Sequence, residues 1–235
     1  MELTSAPLHK GKVLWRGLLL VASLLTSWIS PITAQATVDA APPHVLEGAN
    51  VLLQVNNVPG KLIAFFWHKG KDVLPTEEIA GFIVSSGRTV MGPAHSDRET
   101  LYSNGSLLIQ NVTRNDTGTY AVRILWEGYV TYIASTEFHV HQPVTPPFIQ
   151  VTNTTIKEKD PVSLTCISKD TGISIRWLFN GKRLELTDRM KLSQDNITLR
   201  IESFRKEDSG VYECEVSNPV SSKKSDSIQL DIMHA

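Results

Sequence analysis

Hydrophobic and polar residues alternate with a period of two along much of this 235-residue chain, the pattern of half-buried β-strands. Val51, Leu53 and Val55 form one such run; Val162, Leu164 and Cys166 form another. Around Trp67, alternation turns Phe65 and Trp67 to one side and Phe66 and His68 to the other. Between Tyr120 and Leu125 it separates Tyr120, Val122 and Ile124 from Ala121, Arg123 and Leu125. Asn180-Gly181 marks a two-residue hairpin turn. One phrase occurs twice, as Asp116-Thr117-Gly118-Thr119-Tyr120-Ala121-Val122 and as Asp208-Ser209-Gly210-Val211-Tyr212-Glu213-Cys214. The chain is therefore all-β and holds two copies of one domain.

The second copy identifies the domain type. Trp177 lies between Cys166 and Cys214, and Tyr212 stands two residues before the second cysteine. In an immunoglobulin sandwich such a tryptophan packs on the inter-sheet disulfide and the tyrosine closes a corner. The first copy keeps Trp67 and Tyr120 but has Val55 and Val122 at the cysteine places. It also has 49 residues from Trp67 to Asp116, against 31 from Trp177 to Asp208. The surplus has room for the two extra strands of a variable-type domain. The expected architecture is two tandem immunoglobulin-like β-sandwich domains. A variable-type domain without a disulfide (35–141) is followed by a Pro-rich linker (142–147) and a constant-like C2/I-type domain (148–235) with a Cys166–Cys214 bridge. Arg98 with Asp116, and Arg189 with Asp208, are placed to form an ion pair at the base of each sandwich.

Residues 1–34 precede both domains. Lys10, Lys12 and Arg16, an apolar run from Gly17 to Ile29, and Ala34 follow the order of a secretory signal peptide. No comparable apolar run follows, so the mature chain is expected to be secreted, extracellular and without a membrane anchor. Without the leader, 20 basic residues face 23 acidic ones, a net charge of −3. That balance and the lack of a long basic run argue against a nucleic-acid partner. Asn104, Asn111, Asn115, Asn153 and Asn196 each begin an Asn-x-Ser/Thr triplet and are expected N-glycosylation sites.

The sequence contains no nucleophile elbow, phosphate-binding glycine loop or zinc-protease motif. His139 and His141 alternate on a strand without a nearby third ligand, and Glu77-Glu78 reads as a solvated loop. No catalysis, cofactor or metal is expected. A surface is the stronger signal. In this fold the strands that carry Phe66, His68, Arg123 and Leu125 are neighbours, so these side chains share an outer face, which Val73, Leu74 and Glu78 extend. Asn104, Asn111 and Asn115 fall on the other sheet or its turns, which leaves this face bare of sugar.

Several runs resemble the carcinoembryonic-antigen-related cell adhesion molecules (CEACAM) and the pregnancy-specific glycoproteins. They are Trp15–Leu20 in the leader, Arg98–Thr113, Trp177-Leu178-Phe179-Asn180 and Cys214–Val220. A variable-type first domain without its disulfide is that family's hallmark. The resemblance implies binding through the bare face, homophilic or to a cell-surface CEACAM-type protein or other receptor. The expected contacts are Phe66, His68, Val73, Leu74, Glu78, Arg123 and Leu125. Phe66, His68 and Arg123 depart from the adhesive members, which commonly have a small polar residue, tyrosine and glutamine there. His68 suggests pH-responsive binding. The expected function is that of a secreted adhesion or signalling ligand whose binding Leu125→Arg abolishes. A structural extracellular glycoprotein built from homophilic contacts is the alternative.

Overall fold

The computed structural model describes residues 35–58 and 61–233. The expected leader and its cleavage position lie outside the described residues. No helix among the described residues is long and apolar enough to cross a membrane.

The first domain contains β1 (Thr37–Ala41), β2 (His44–Leu46), β3 (Val51–Asn56), β4 (Leu62–Lys69), β5 (Glu78–Ile83), β6 (Arg88–Met91), β7 (Glu99–Leu101), β8 (Leu107–Ile109), β9 (Gly118–Trp126) and β10 (Val130–His141). They form two sheets, β1-β3-β8-β7 and β2-β10-β9-β4-β5-β6. The strands β5 and β6 fill the surplus length anticipated between Trp67 and Asp116. Pro42 and Pro43, which offer no backbone N–H to a ladder, separate β1 from β2, and the chain changes sheets there. Strand β2 then runs parallel to the end of β10.

The second domain contains β11 (Phe148–Val151), β12 (Val162–Ile167), β13 (Ser174–Phe179), β14 (Lys182–Arg183), β15 (Met190–Leu192), β16 (Thr198–Ile201), β17 (Gly210–Asn218), β18 (Ser221–Lys224) and β19 (Ile228–Leu230). One sheet is β11-β12-β16-β15; the other is β14-β13-β17-β18, with β19 also on β17.

Each core is built around its tryptophan. Trp67 is fully buried with Phe65, Leu53, Ile124 and Phe138, and its indole N–H donates to the Gly105 carbonyl at 2.7 Å. Gly105 has φ +86°, and a Cβ there would lie 2.4 Å from the Phe65 ring, so both backbone and packing require glycine. Val122 is fully buried and Val55 partly so; these two valines fill by packing the space a disulfide would cross. In the second domain Cys166 and Cys214 are bonded, and Trp177 pairs across the sheet with Cys214. Both corners are closed: the Tyr120 hydroxyl donates to the Asp116 carbonyl at 3.0 Å, and that of Tyr212 to the Asp208 carbonyl at 2.8 Å.

The bases of the two sandwiches repeat one device. Arg98 Nη1 and Nη2 donate to the two Asp116 oxygens at 2.7 and 2.8 Å. Arg189 meets Asp208 in the same way and adds Glu207 at 2.9 Å.

The Pro-rich stretch 142–147 is fastened to the second domain. Val144 is 4% exposed and belongs to the second domain's apolar core. Its N–H donates to Ser221 Oγ at 2.9 Å, and Thr145 N–H donates to Asp170 at 2.7 Å. An apolar side chain between prolines found a core to join, which shortens the connection.

Candidate binding face

The outer surface of the six-stranded sheet is organised in rows that cross the strands. Ile133 on β10 stands opposite Arg123 on β9, which stands opposite Phe66 on β4, then Gly81 on β5 and Val90 on β6. The Arg123 guanidinium lies 4.7 Å from the Phe66 ring centroid. Such a cation–π contact contributes about 0.5–1 kcal/mol at a partly exposed site. On the other side, a Cβ at Gly81 would come within 2.5 Å of the Phe66 ring. The aromatic ring therefore sits close against the β5 backbone because residue 81 has no side chain. Inward-facing Phe65 and Trp67 anchor β4 beneath, so the ring rests on a rigid support.

Ile133 and Val90, at 48% and 45% exposed, end this row as apolar positions open to solvent. Ile133 was not anticipated. The alternation along β10, with Phe138 and Val140 buried and Tyr132 and Ala134 against the core, is the signal that places it outside. The neighbouring row is Thr131, Leu125, Ala64, Ile83 and Arg88. Leu125 is half-buried in it. Val73, half-buried, and Leu74, exposed, lie in the turn before β5, at the sheet's margin.

His68 is a correction. It points outward as alternation requires, yet it is 1% exposed and offers no open contact surface. Its row is Ala121, His68 and Glu78, and Ala121 is covered as well. A bulge between Trp67 and His68 shifts the register so that Glu78 stands opposite the imidazole, with Nε2 3.6 Å from its carboxylate. Nδ1 is 3.1 Å from the Phe66 carbonyl. A carbonyl only accepts, so Nδ1 carries the proton and the ring is a structural member of the face.

Burial pushes the His68 pKa below its ordinary 6.5, helped by Arg123 and opposed by the Phe66 carbonyl and Glu78. The unfolded chain thus takes up this proton before the folded one does. Stability of the first domain is expected to fall as pH drops below about 6.5 and to level off below the depressed folded value. Urea titrations between pH 7.5 and 5 check this: His68→Gln removes part of the slope, and an unchanged slope would exclude His68 as its source.

Asn104 lies in the turn between β7 and β8, Asn111 follows β8, and Asn115 sits in the turn before β9. All three are exposed, as are Asn153 and Asn196 in the second domain. No Asn-x-Ser/Thr triplet begins on β4, β5, β6, β9 or β10.

Residues 38–141 match the immunoglobulin V-set domain and residues 146–218 an immunoglobulin domain. The chain is 44% identical over 211 residues to the mouse (Mus musculus) cell adhesion molecule CEACAM5, covering 90% of this chain but only 22% of that protein. It is 55% identical to murine CEACAM1b in its crystal structure, covering 85% of this chain and all of that one, with a TM-score of 0.78. A chain in the crystal structure of a mouse coronavirus receptor-binding domain complexed with its murine receptor is 50% identical. It covers 85% of this chain and all of that one, with a TM-score of 0.80.

Proposed function

This chain belongs to the CEACAM family of immunoglobulin-type cell adhesion molecules, and from that premise we propose that it is a secreted glycoprotein that binds a cell-surface family member or another receptor through the outer face of its first domain. The row Ile133–Arg123–Phe66–Gly81–Val90 carries this reading. An aromatic ring capped by arginine and ended by two exposed aliphatic side chains is the composition of a binding hot spot, in which aromatic residues and arginine dominate. Exposed apolar surface rimmed by polar groups marks a partner surface. The expected glycans at Asn104, Asn111 and Asn115 leave the strands of this row clear. The basic, apolar and small-residue order of residues 1–34 supports export.

The test measures binding of the glycosylated chain to a second copy, by sedimentation equilibrium, and to the murine CEACAM1b ectodomain, by biolayer interferometry. Ile133→Asp places a charge at the end of the row, beside Arg123 and Phe66, and is expected to weaken binding about tenfold, the equivalent of about 1.4 kcal/mol. Leu186→Asp, equally exposed but in the second domain, is expected to leave it unchanged. Binding indifferent to Ile133→Asp would exclude this face. Assembly beyond a dimer would favour the structural role instead.

A further inference from the structure

Three histidines meet at the other end of the same sheet. Val45 of β2 and Val140 of β10 are buried, so His44, His139 and His141 project from the opposite, outer side. The parallel pairing puts His44 beside His139. The two rings stack at 5.4 Å between centroids, 19° from coplanar. His44 Nδ1 is 3.1 Å from His141 Nε2. Glu137, two residues before His139 on the same side of β10, has an oxygen 3.5 Å from His139 Nε2.

From this geometry we propose that His44, His139 and His141 form a site for a divalent transition metal ion, zinc or nickel in class, that clips β2 to the end of β10. Two imidazole nitrogens on one tetrahedral zinc, each at about 2.0–2.1 Å, lie roughly 3.3 Å apart. The 3.1 Å separation of His44 and His141 is close to that spacing, so an ion takes the place of the shared proton once both rings tilt toward it. No three donors among the described residues already surround one point. His139 is the third donor within reach, and the Glu137 carboxylate 3.5 Å from its Nε2 stands where carboxylates beside metal-bound histidines do. Imidazole donors favour zinc, nickel and copper over calcium or magnesium. Strands β2 and β10 join parts of the chain 97 residues apart in the domain that has no disulfide. An ion bound only to the folded form raises that domain's stability by mass action.

The proposal does not depend on the partner-binding reading. The full chain, stripped with a chelator, is titrated with zinc chloride by calorimetry, and its unfolding is followed with and without zinc. One ion per chain and a higher first-domain unfolding temperature are expected. His44→Ala, His139→Ala and His141→Ala should each weaken binding at least about tenfold, the loss found even for outer-shell partners. Unfolding of each variant without zinc reports whether the exposed substitution preserves the fold. His95→Ala is the control: His95 sits between Asp97 and Glu99, at 3.4 and 3.2 Å, in a different loop. It should change nothing. Absence of saturable binding overturns the proposal, as does affinity that survives any of the three substitutions or is lost with His95.

Discussion

Replacing Cys166 and Cys214 together by alanine is expected to lower the stability of the second domain by about 4 kcal/mol and to leave the first domain as it was. The bond closes a span of 48 residues and is the chain's single pair of cysteines. In the chain-entropy account, cutting a loop of that length returns about this much freedom to the unfolded state. Both cysteines are buried with Trp177, so truncation also loosens the packing of that ring. For a domain of this size each kilocalorie moves the unfolding temperature by roughly 4–8 °C. Differential scanning calorimetry of the double variant should therefore show one of two transitions displaced by more than about 15 °C. Equal displacement of both would mean that the domains unfold as one unit.

The first domain has no such bond, and Asp116→Ala is expected to cost it about 3 kcal/mol, at the lower end for a buried ion pair because Arg98 remains 30% exposed. Asp116 does more than pair with Arg98. One of its oxygens also accepts from the Thr113 N–H at 2.7 Å and from the Thr113 hydroxyl at 3.1 Å. Burial alone would raise its pKa; the hydrogen bonds from Arg98 and Thr113 outweigh burial and bring it from 3.8 to about 2. The unfolded chain therefore binds a proton at this carboxylate before the folded one does. The stabilisation is complete above about pH 4 and disappears as pH falls from 3.8 toward 2. Guanidinium titrations at pH 7 and pH 3 separate these effects. The variant should be the weaker protein at pH 7 and should lose less on acidification. An equal acid loss in both would assign the acid sensitivity to other carboxylates.

Side-chain direction was legible in the alternation; side-chain exposure was not. Phe65 and Trp67 face the core and Phe66 faces out, as the period of two requires. Whether an outward side chain reaches solvent depends on its neighbours across the sheet, and those depend on register. The bulge after Trp67 brings Glu78 opposite His68, and no local pattern announces it. Ile133 lay within reach of the same reasoning, because β10 alternates as cleanly as β9. His44 did not. Its place beside His139 follows from a parallel pairing of distant strands, which leaves no signature in either segment. Val144 shows the converse limit: surrounding prolines read as a spacer, yet one apolar side chain suffices to fasten the segment to a core.

Gly81 carries a consequence for how a surface of this kind diversifies. It is buried, and yet its lack of a side chain sets where the Phe66 ring sits on the face. Any larger residue there lifts Phe66 and separates it from Arg123. A substitution at this covered position can thus reshape the face with every exposed residue retained.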